Sequence, residues 1–395
     1  MAGNKDYKLK CQEEAEATIR KTKSGRYYDL TEKSLVRKGI KKLSDKQFID
    51  LFKRSRLRFS LTPQCNLWCV FCSNEGANYT SKSYGHADID LVIALSEMII
   101  KKTPLRGIDF SGGEPTIHPD FKERRFKLIN WSRKHPKIRF ALHSNGIRLD
   151  PEIISRIKNN FARIGVSVNS FNFETWNKLT NLNNIFPEKL QKEKFSDLMK
   201  NLEFISSQNI GYKVFCKSVI MKGINDNKKE LKYFLDSCAR YQYHPKFFQF
   251  EPQFNEQRKY VVSRENFFNK LTEIGCQFPR ENPKKINRNQ YIPNINFNYK
   301  NAPPGIHSFF GCGLKSACES CYDFACMFIK PSKDGKGLYL KPCLALDTQI
   351  DLTHAIKTGN YNQLLRLFRI SREYLMTAPG IGISGWNKEQ KFKFV

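Results

Sequence analysis

Cys65, Cys69 and Cys72 fall in the run Cys65-Asn66-Leu67-Trp68-Cys69-Val70-Phe71-Cys72. Three thiolates on one tight loop can hold three irons of a [4Fe-4S] cubane and leave the fourth iron open. An open iron can chelate the amino and carboxylate groups of a small molecule. About forty residues later comes Gly112-Gly113-Glu114-Pro115. Paired glycines there let main chain approach the same ligand, with Glu114 nearby as a negative group. Either motif alone is modest evidence. Their order and spacing together point to one redox site.

A second cysteine group lies far downstream: Cys312, Cys318, Cys321, Cys326 and Cys343. It fits a structural zinc or a second, auxiliary [4Fe-4S] cluster. A zinc ribbon usually shows two CxxC knuckles, and Cys318-x-x-Cys321 supplies one. The upstream cluster motif therefore favours iron and sulfur. Spacing does not decide which four bind; Cys318, Cys321, Cys326 and Cys343 rank first because the last two flank a hairpin signal, with Cys312 as alternate. Cys11, Cys216, Cys238 and Cys276 sit in periodic apolar contexts and read as buried, inert thiols.

These residues need a frame. From Arg56, short β-rich runs alternate with helical stretches. The expected strands are 57–61, 107–110, 138–142, 164–168, 213–220 and 247–250. The expected helices are 89–102, 120–134, 151–160, 195–207 and 228–241. Such alternation gives parallel strands with helices packed outside, and six units make a partial barrel. Ligands collect at the C-terminal ends of such strands, where each motif above lies. His143-Ser144-Asn145-Gly146 would end the third strand and Ser167-Val168-Asn169 the fourth.

The chain thus divides into a basic helical extension (1–55, with Ser44 a candidate N-cap), a partial barrel (56–255) and an Asn/Pro-containing connecting segment (256–310). An auxiliary cysteine region (311–350), with a turn at Asp334-Gly335-Lys336-Gly337, and a C-terminal helix and tail (351–395) complete it. The fold class is α/β, a partial (β/α)6 TIM-like barrel with a cysteine-rich extension.

Bulk properties set further bounds. No apolar run reaches the roughly 18–20 residues that would cross a bilayer, and Met1–Arg20 lacks an apolar core, so no membrane or export signal is expected. Twelve cysteines in such a chain read as metal ligands or buried thiols, placing it in the reducing cytoplasm. Lys and Arg number 67 against 38 Asp and Glu. That excess attracts polyanions and leaves a nucleic-acid partner open, although a Lys-rich compositional bias explains it equally well.

The run Leu57-Arg58-Phe59-Ser60-Leu61-Thr62, the three-cysteine loop and Glu75-Gly76 resemble the radical S-adenosylmethionine (SAM) superfamily. Gly112–Pro115, Ser167-Val168-Asn169 and Lys222-Gly223-Ile224-Asn225-Asp226 extend the likeness toward the GTP 3′,8-cyclase of molybdenum-cofactor biosynthesis and its twitch/SPASM-bearing relatives. So do Asp334-Gly335 and Lys341-Pro342-Cys343-Leu344. The resemblance covers roughly residues 56–345. It implies a SAM-binding [4Fe-4S] cluster on Cys65, Cys69 and Cys72, an auxiliary twitch/SPASM-like cluster, and an external reductant such as flavodoxin or ferredoxin. It further implies SAM contacts from Phe71, Gly112, Gly113, Glu114, Pro115, Ser144, Asn145, Ser167, Asn169 and Met221, with Phe71 near the adenine.

The departures concern the substrate. Asp109 stands where the cyclase pattern has an arginine, Phe215 where it has a lysine, and Phe328 and Lys330 where it has two arginines. Glu251 replaces a methionine, and the terminal Gly-Gly is absent. A carboxylate facing a triphosphate is repulsive, and an unpaired charge of that kind costs about 3–5 kcal/mol, which argues against GTP. The expected activity is reductive cleavage of SAM and hydrogen-atom abstraction from another small molecule, nucleotide-like or otherwise. Two alternatives stand: action on a ribosomal peptide or tRNA, which the basic N-terminal segment would grip, and a non-catalytic iron–sulfur or zinc protein that binds nucleic acid. Glu251, His143 and Lys217 are the candidate acid–base groups, unranked.

Overall fold

The computed structural model of the 395-residue chain describes residues 44–72, 85–122, 126–181, 186–250, 252, 255–279, 294–308, 326–342 and 349–377. Along the chain, the strands are β1 (Arg56–Ser60), β2 (Gly107–Ser111), β3 (Arg139–Ser144), β4 (Phe161–Ser167), β5 (Val214–Ile220), β6 (His244–Gln249), β7 (Asn294–Phe297), β8 (Gly305–Ser308), β9 (Cys326–Pro331), β10 (Leu338–Lys341) and β11 (Ile350–Asp351). The helices used below are α1 (Asp45–Leu51), α2 (Ile89–Lys102), α3 (Lys127–Ser132), α4 (Pro151–Ile157), α5 (Phe173–Thr180), α6 (Glu188–Ser207), α7 (Lys228–Tyr241), α8 (Arg264–Glu273), α9 (Thr353–Lys357) and α10 (Tyr361–Thr377).

The chain forms two compact units. One comprises the described residues within 1–61, 83–108 and 312–395; the other comprises those within 62–82 and 109–311. In the first, β1 pairs in parallel with β9, β9 turns back antiparallel onto β10, and β10 pairs with β11. The expected turn between β9 and β10 is present, with Gly335 at φ 78. Helix α1 starts as Ser44 suggested: its hydroxyl accepts the Gln47 N–H while the Gln47 side chain accepts the Ser44 N–H. Phe48 and Phe52 of this segment pack edge to face, and Phe368 of α10 lies 6.0 Å from Phe52. Ser44→Ala is expected to cost about 1 kcal/mol, read as a lower chemical-denaturation midpoint.

The second unit holds the site. Its strands β3, β4, β5, β6 and β8 pair in parallel in that order, with β7 antiparallel at the edge. Helices α4 to α7 occupy the crossovers between β3 and β6, as right-handed parallel connections require. This mixed α/β sheet is consistent with the expected partial barrel. Alternation along β5 is clean: Val214, Cys216, Ser218 and Ile220 are buried, while Phe215, Lys217 and Val219 face the half-exposed side. The rings of Phe110, Phe140 and Phe161 meet at 6.0 Å beneath the buried face, and Phe247 stacks on Phe297 at 5.8 Å.

Some elements differ from the sequence reading. The helix expected over 120–134 is two pieces, Pro119–Lys122 and α3. Phe126 adopts a left-handed conformation, and the Asp120 carboxylate turns to accept the Lys127 and Leu128 N–H groups, restarting the helix. The Asn-rich stretch read as loop contains β7, which pairs with β8, and the preceding segment contains α8. Strand β3 reaches Ser144, two residues past its expected end, and β4 stops at Ser167.

Candidate active site

The cysteine loop is pinned to the second unit by backbone bonds. Trp68 N–H donates to the Thr180 carbonyl at 3.1 Å and Val70 N–H to the Leu179 carbonyl at 3.0 Å, tying the loop to the end of α5. Cys72 N–H closes a turn on the Cys69 carbonyl at 3.0 Å. Cys65 and Cys69 are half-buried and Cys72 is exposed.

The glycine turn abuts the start of this loop. Gly113 N–H donates to the Thr62 carbonyl and Glu114 N–H to the Gln64 carbonyl, both at 2.7 Å. The two glycines are needed for different reasons. Gly112 has φ 143, a conformation L side chains rarely adopt. At Gly113 a Cβ would collide with the Gln64 carbonyl and stand 2.8 Å from that of Pro63. Gly113→Ala is therefore expected to push residues 63–65 outward at a cost of about 1–3 kcal/mol. Iron content after reconstitution should fall while the far-ultraviolet circular dichroism stays unchanged.

Glu114 is fully buried, and its carboxylate is saturated by this chain's own donors. Oε1 accepts the Thr116 N–H (3.1 Å), the Thr116 hydroxyl (2.6 Å) and the Ser144 hydroxyl (2.8 Å); Oε2 accepts the Asn145 N–H at 2.6 Å. Pro115 opens the short 3-10 turn that Glu114 caps. Burial pushes the Glu114 pKa up, opposed by the hydrogen bonds from Asn145, Thr116 and Ser144. Ser144 also accepts the Gly146 N–H at 3.0 Å. Glu114 and Ser144 thus act as a staple between the glycine turn and the end of β3.

Asn145 completes the circle. Its Nδ2 donates to Asn66 Oδ1 at 2.6 Å and lies 3.9 Å from Cys65 Sγ, while Oδ1 accepts the Ile147 N–H. A donor aimed at a cysteine sulfur is a means of tuning a cluster's potential. Burial pushes the Cys65 thiol up to about 12, helped by the charges of Glu114 and Cys72. Burial likewise raises Cys69, followed by the charges of Cys65 and Cys72. Thiolates crowded beside a buried carboxylate need a cation, which bound iron supplies. The donor set therefore fits an iron–sulfur group. Among the described residues, no three His, Cys, Asp or Glu side chains form a group able to hold a single metal ion. A cubane imposes no such convergence, since each thiolate takes a separate iron.

Other expected residues converge as well. Phe71 and Met221 share one apolar cluster with Leu179, Phe250, Val70 and Val219. Asn169, at φ 62, donates its N–H to the Lys217 carbonyl, and its Oδ1 accepts the Val219 N–H. Asn225, from the Lys222–Asp226 motif, accepts the Met221 N–H at 2.8 Å and donates to the Val219 carbonyl at 2.9 Å. Asn169 and Asn225 therefore shape the end of β5, a role sequence spacing did not disclose. Ser167 is half-buried at the end of β4.

His143 and Lys217 meet at 2.7 Å, and Asp109 joins them from β2. Cys216, Cys238 and Cys276 are buried, as expected of inert thiols. Cys326 opens β9, opposite Arg56 in the register. Glu251, Cys11, Cys312, Cys318, Cys321 and Cys343 lie outside the described residues. Among the described residues, no helix is long and apolar enough to cross a membrane.

Residues 59–238 match the Radical SAM superfamily. GTP 3′,8-cyclase of Haemophilus influenzae is 30% identical over 203 residues, covering 50% of this chain and 54% of that protein. The chain thus spans about half the length of that relative. A probable GTP 3′,8-cyclase of Methanosarcina acetivorans is 26% identical over 357 residues, covering 88% of this chain and 95% of that protein. Among solved structures, Streptococcus suis SuiB bound to S-adenosylmethionine superposes with a TM-score of 0.51 at 12% identity, over 80% of this chain and 65% of that one. That likeness speaks to the fold alone.

Proposed function

The chain carries a radical SAM domain over residues 59–238 and is an enzyme, and on that premise we propose that it cleaves SAM reductively and abstracts a hydrogen atom from a small-molecule substrate other than GTP. Cys65, Cys69 and Cys72 would hold the [4Fe-4S] cluster. The observation that carries the reading is the Glu114 staple, which locks the glycine turn and the end of β3 around the cysteine loop. When bound, the cluster and SAM supply a carbon-centred radical. The chain's residues position that chemistry and exclude water from it. Phe71 and Met221 would offer an apolar wall for the adenine, and the main chain at Gly112 and Gly113 would approach the methionine end.

Asp109 supports the exclusion of GTP. By the resemblance it stands where the cyclase pattern has an arginine, and its buried carboxylate lies 3.3 Å from His143 Nε2, so the position offers a triphosphate a negative group in place of a positive one. An auxiliary twitch/SPASM-like cluster on Cys318, Cys321, Cys326 and Cys343 belongs to the same proposal, as do a flavodoxin- or ferredoxin-like reductant and a cytoplasmic setting. The test is anaerobic reconstitution with iron and sulfide, addition of dithionite and SAM, and assay for 5′-deoxyadenosine. Its formation above a cluster-free control supports the proposal. Its absence from protein that retains its iron overturns it.

A further inference from the structure

Asp109 on β2, His143 on β3 and Lys217 on β5 form one hydrogen-bonded chain within the second unit. Lys217 Nζ lies 2.7 Å from His143 Nδ1, and His143 Nε2 lies 3.3 Å from Asp109 Oδ2. A lysine ammonium only donates, so Nδ1 accepts and the ring proton sits on Nε2, toward the carboxylate. Strand β4 runs between β3 and β5, and the residue paired with His143 there is Gly165. A Cβ at Gly165 would stand 2.7 Å from His143 Nδ1 and press on the Lys217 side chain. Glycine is the opening through which Lys217 reaches across β4.

Other charges share this face. Lys246 on β6 is the direct cross-strand partner of Lys217, and Ser167 is its partner on β4. Arg163 lies over the Phe215 ring at 4.4 Å, and Arg139 follows the same alternation at the far end of β3. Opposite like charges on one sheet face disfavour each other. A lysine beside a second cation, half removed from water, gives up its proton more readily than an exposed one. Asp109, reaching Lys217 through His143, pulls the other way.

We propose that Lys217 is the proton-accepting amine of this site, aimed by His143 and Asp109, and that the substrate carries an ionisable O–H or N–H group. This rests on the radical reading of the same unit. In the step, one proton passes from the substrate heteroatom to Nζ, and the electron pair stays on the substrate. The ammonium so formed donates to His143 Nδ1, whose Nε2–H faces Asp109. Lys217 is the catalytic residue; His143 and Asp109 are positioning residues.

Trace acetylation of the full chain with acetic anhydride across pH, read by peptide mass spectrometry, reports each lysine's titration without cofactor or turnover. Lys217 is expected to label faster than the chain's exposed lysines, as about a tenfold excess of neutral amine at neutral pH would require. Lys246→Met removes the neighbouring cation and should bring Lys217 back toward the exposed lysines, slowing its labelling about tenfold. Asp109→Asn should move it the opposite way and speed labelling. A wild-type Lys217 that titrates with the exposed lysines, or one that neither variant moves, overturns the proposal. Because SAM cleavage is assayed separately, an ordinary Lys217 in a SAM-cleaving protein would sink this inference and leave the radical reading intact.

Discussion

Cys69→Ala is expected to abolish SAM-dependent formation of 5′-deoxyadenosine, a loss down to the background of protein without iron. The loop offers three thiols, so a cubane that keeps one iron open for SAM has no spare ligand. The backbone bonds that seat the loop, Trp68 to Thr180 and Val70 to Leu179, do not involve the Cys69 side chain. The variant should therefore fold, with unchanged circular dichroism, and fail only in iron content and turnover. Cleavage at the wild-type rate would mean that another residue anchors the cluster.

Glu114→Ala should be the most damaging change that touches no metal ligand. It leaves the Thr116 N–H and hydroxyl, the Ser144 hydroxyl and the Asn145 N–H without the acceptor they share. Each donor stranded in the interior costs about 1–3 kcal/mol, and a collapsing pocket recovers part of that, so a net loss of about 3–5 kcal/mol is expected. Chemical denaturation measures it directly. Glu114→Gln keeps the shape but presents an N–H to a neighbour that already donates, so its loss should be intermediate. If Glu114 instead served mainly to bind the methionine ammonium of SAM, Glu114→Ala would weaken SAM binding and leave stability nearly unchanged.

Much of this site could be read from residue order. The cysteine loop and the glycine turn stand out because their chemistry demands those residue types at short spacing. Helices α2 and α7 match the expected bounds because each has a side-chain cap, Asp88 and Asn227, ahead of a periodic apolar face. Helix α5 was missed: it is short, and its Asn172 cap and Trp176 core contact are plain only once α6 packs beside it. Strands β7 and β8 were hidden by Asn and Pro content that suggested a loop. What could not be read was how the side chains are used. Ser144 and Asn145 follow one another at the end of β3, and only the structure shows that Ser144 donates to Glu114 while Asn145 donates to Asn66 and lies near Cys65 Sγ. The meeting of Asp109, His143 and Lys217 depends on the parallel registers of β3 with β4 and of β4 with β5 and on the missing Cβ of Gly165, and no local pattern encodes that combination.

The most direct measurement is the electron paramagnetic resonance spectrum of the reconstituted, reduced protein before and after SAM is added. With one iron corner left to a small-molecule chelate, the cofactor must perturb the reduced cluster's g values. A spectrum identical with and without SAM, from protein carrying a full complement of iron, would contradict the account at its root.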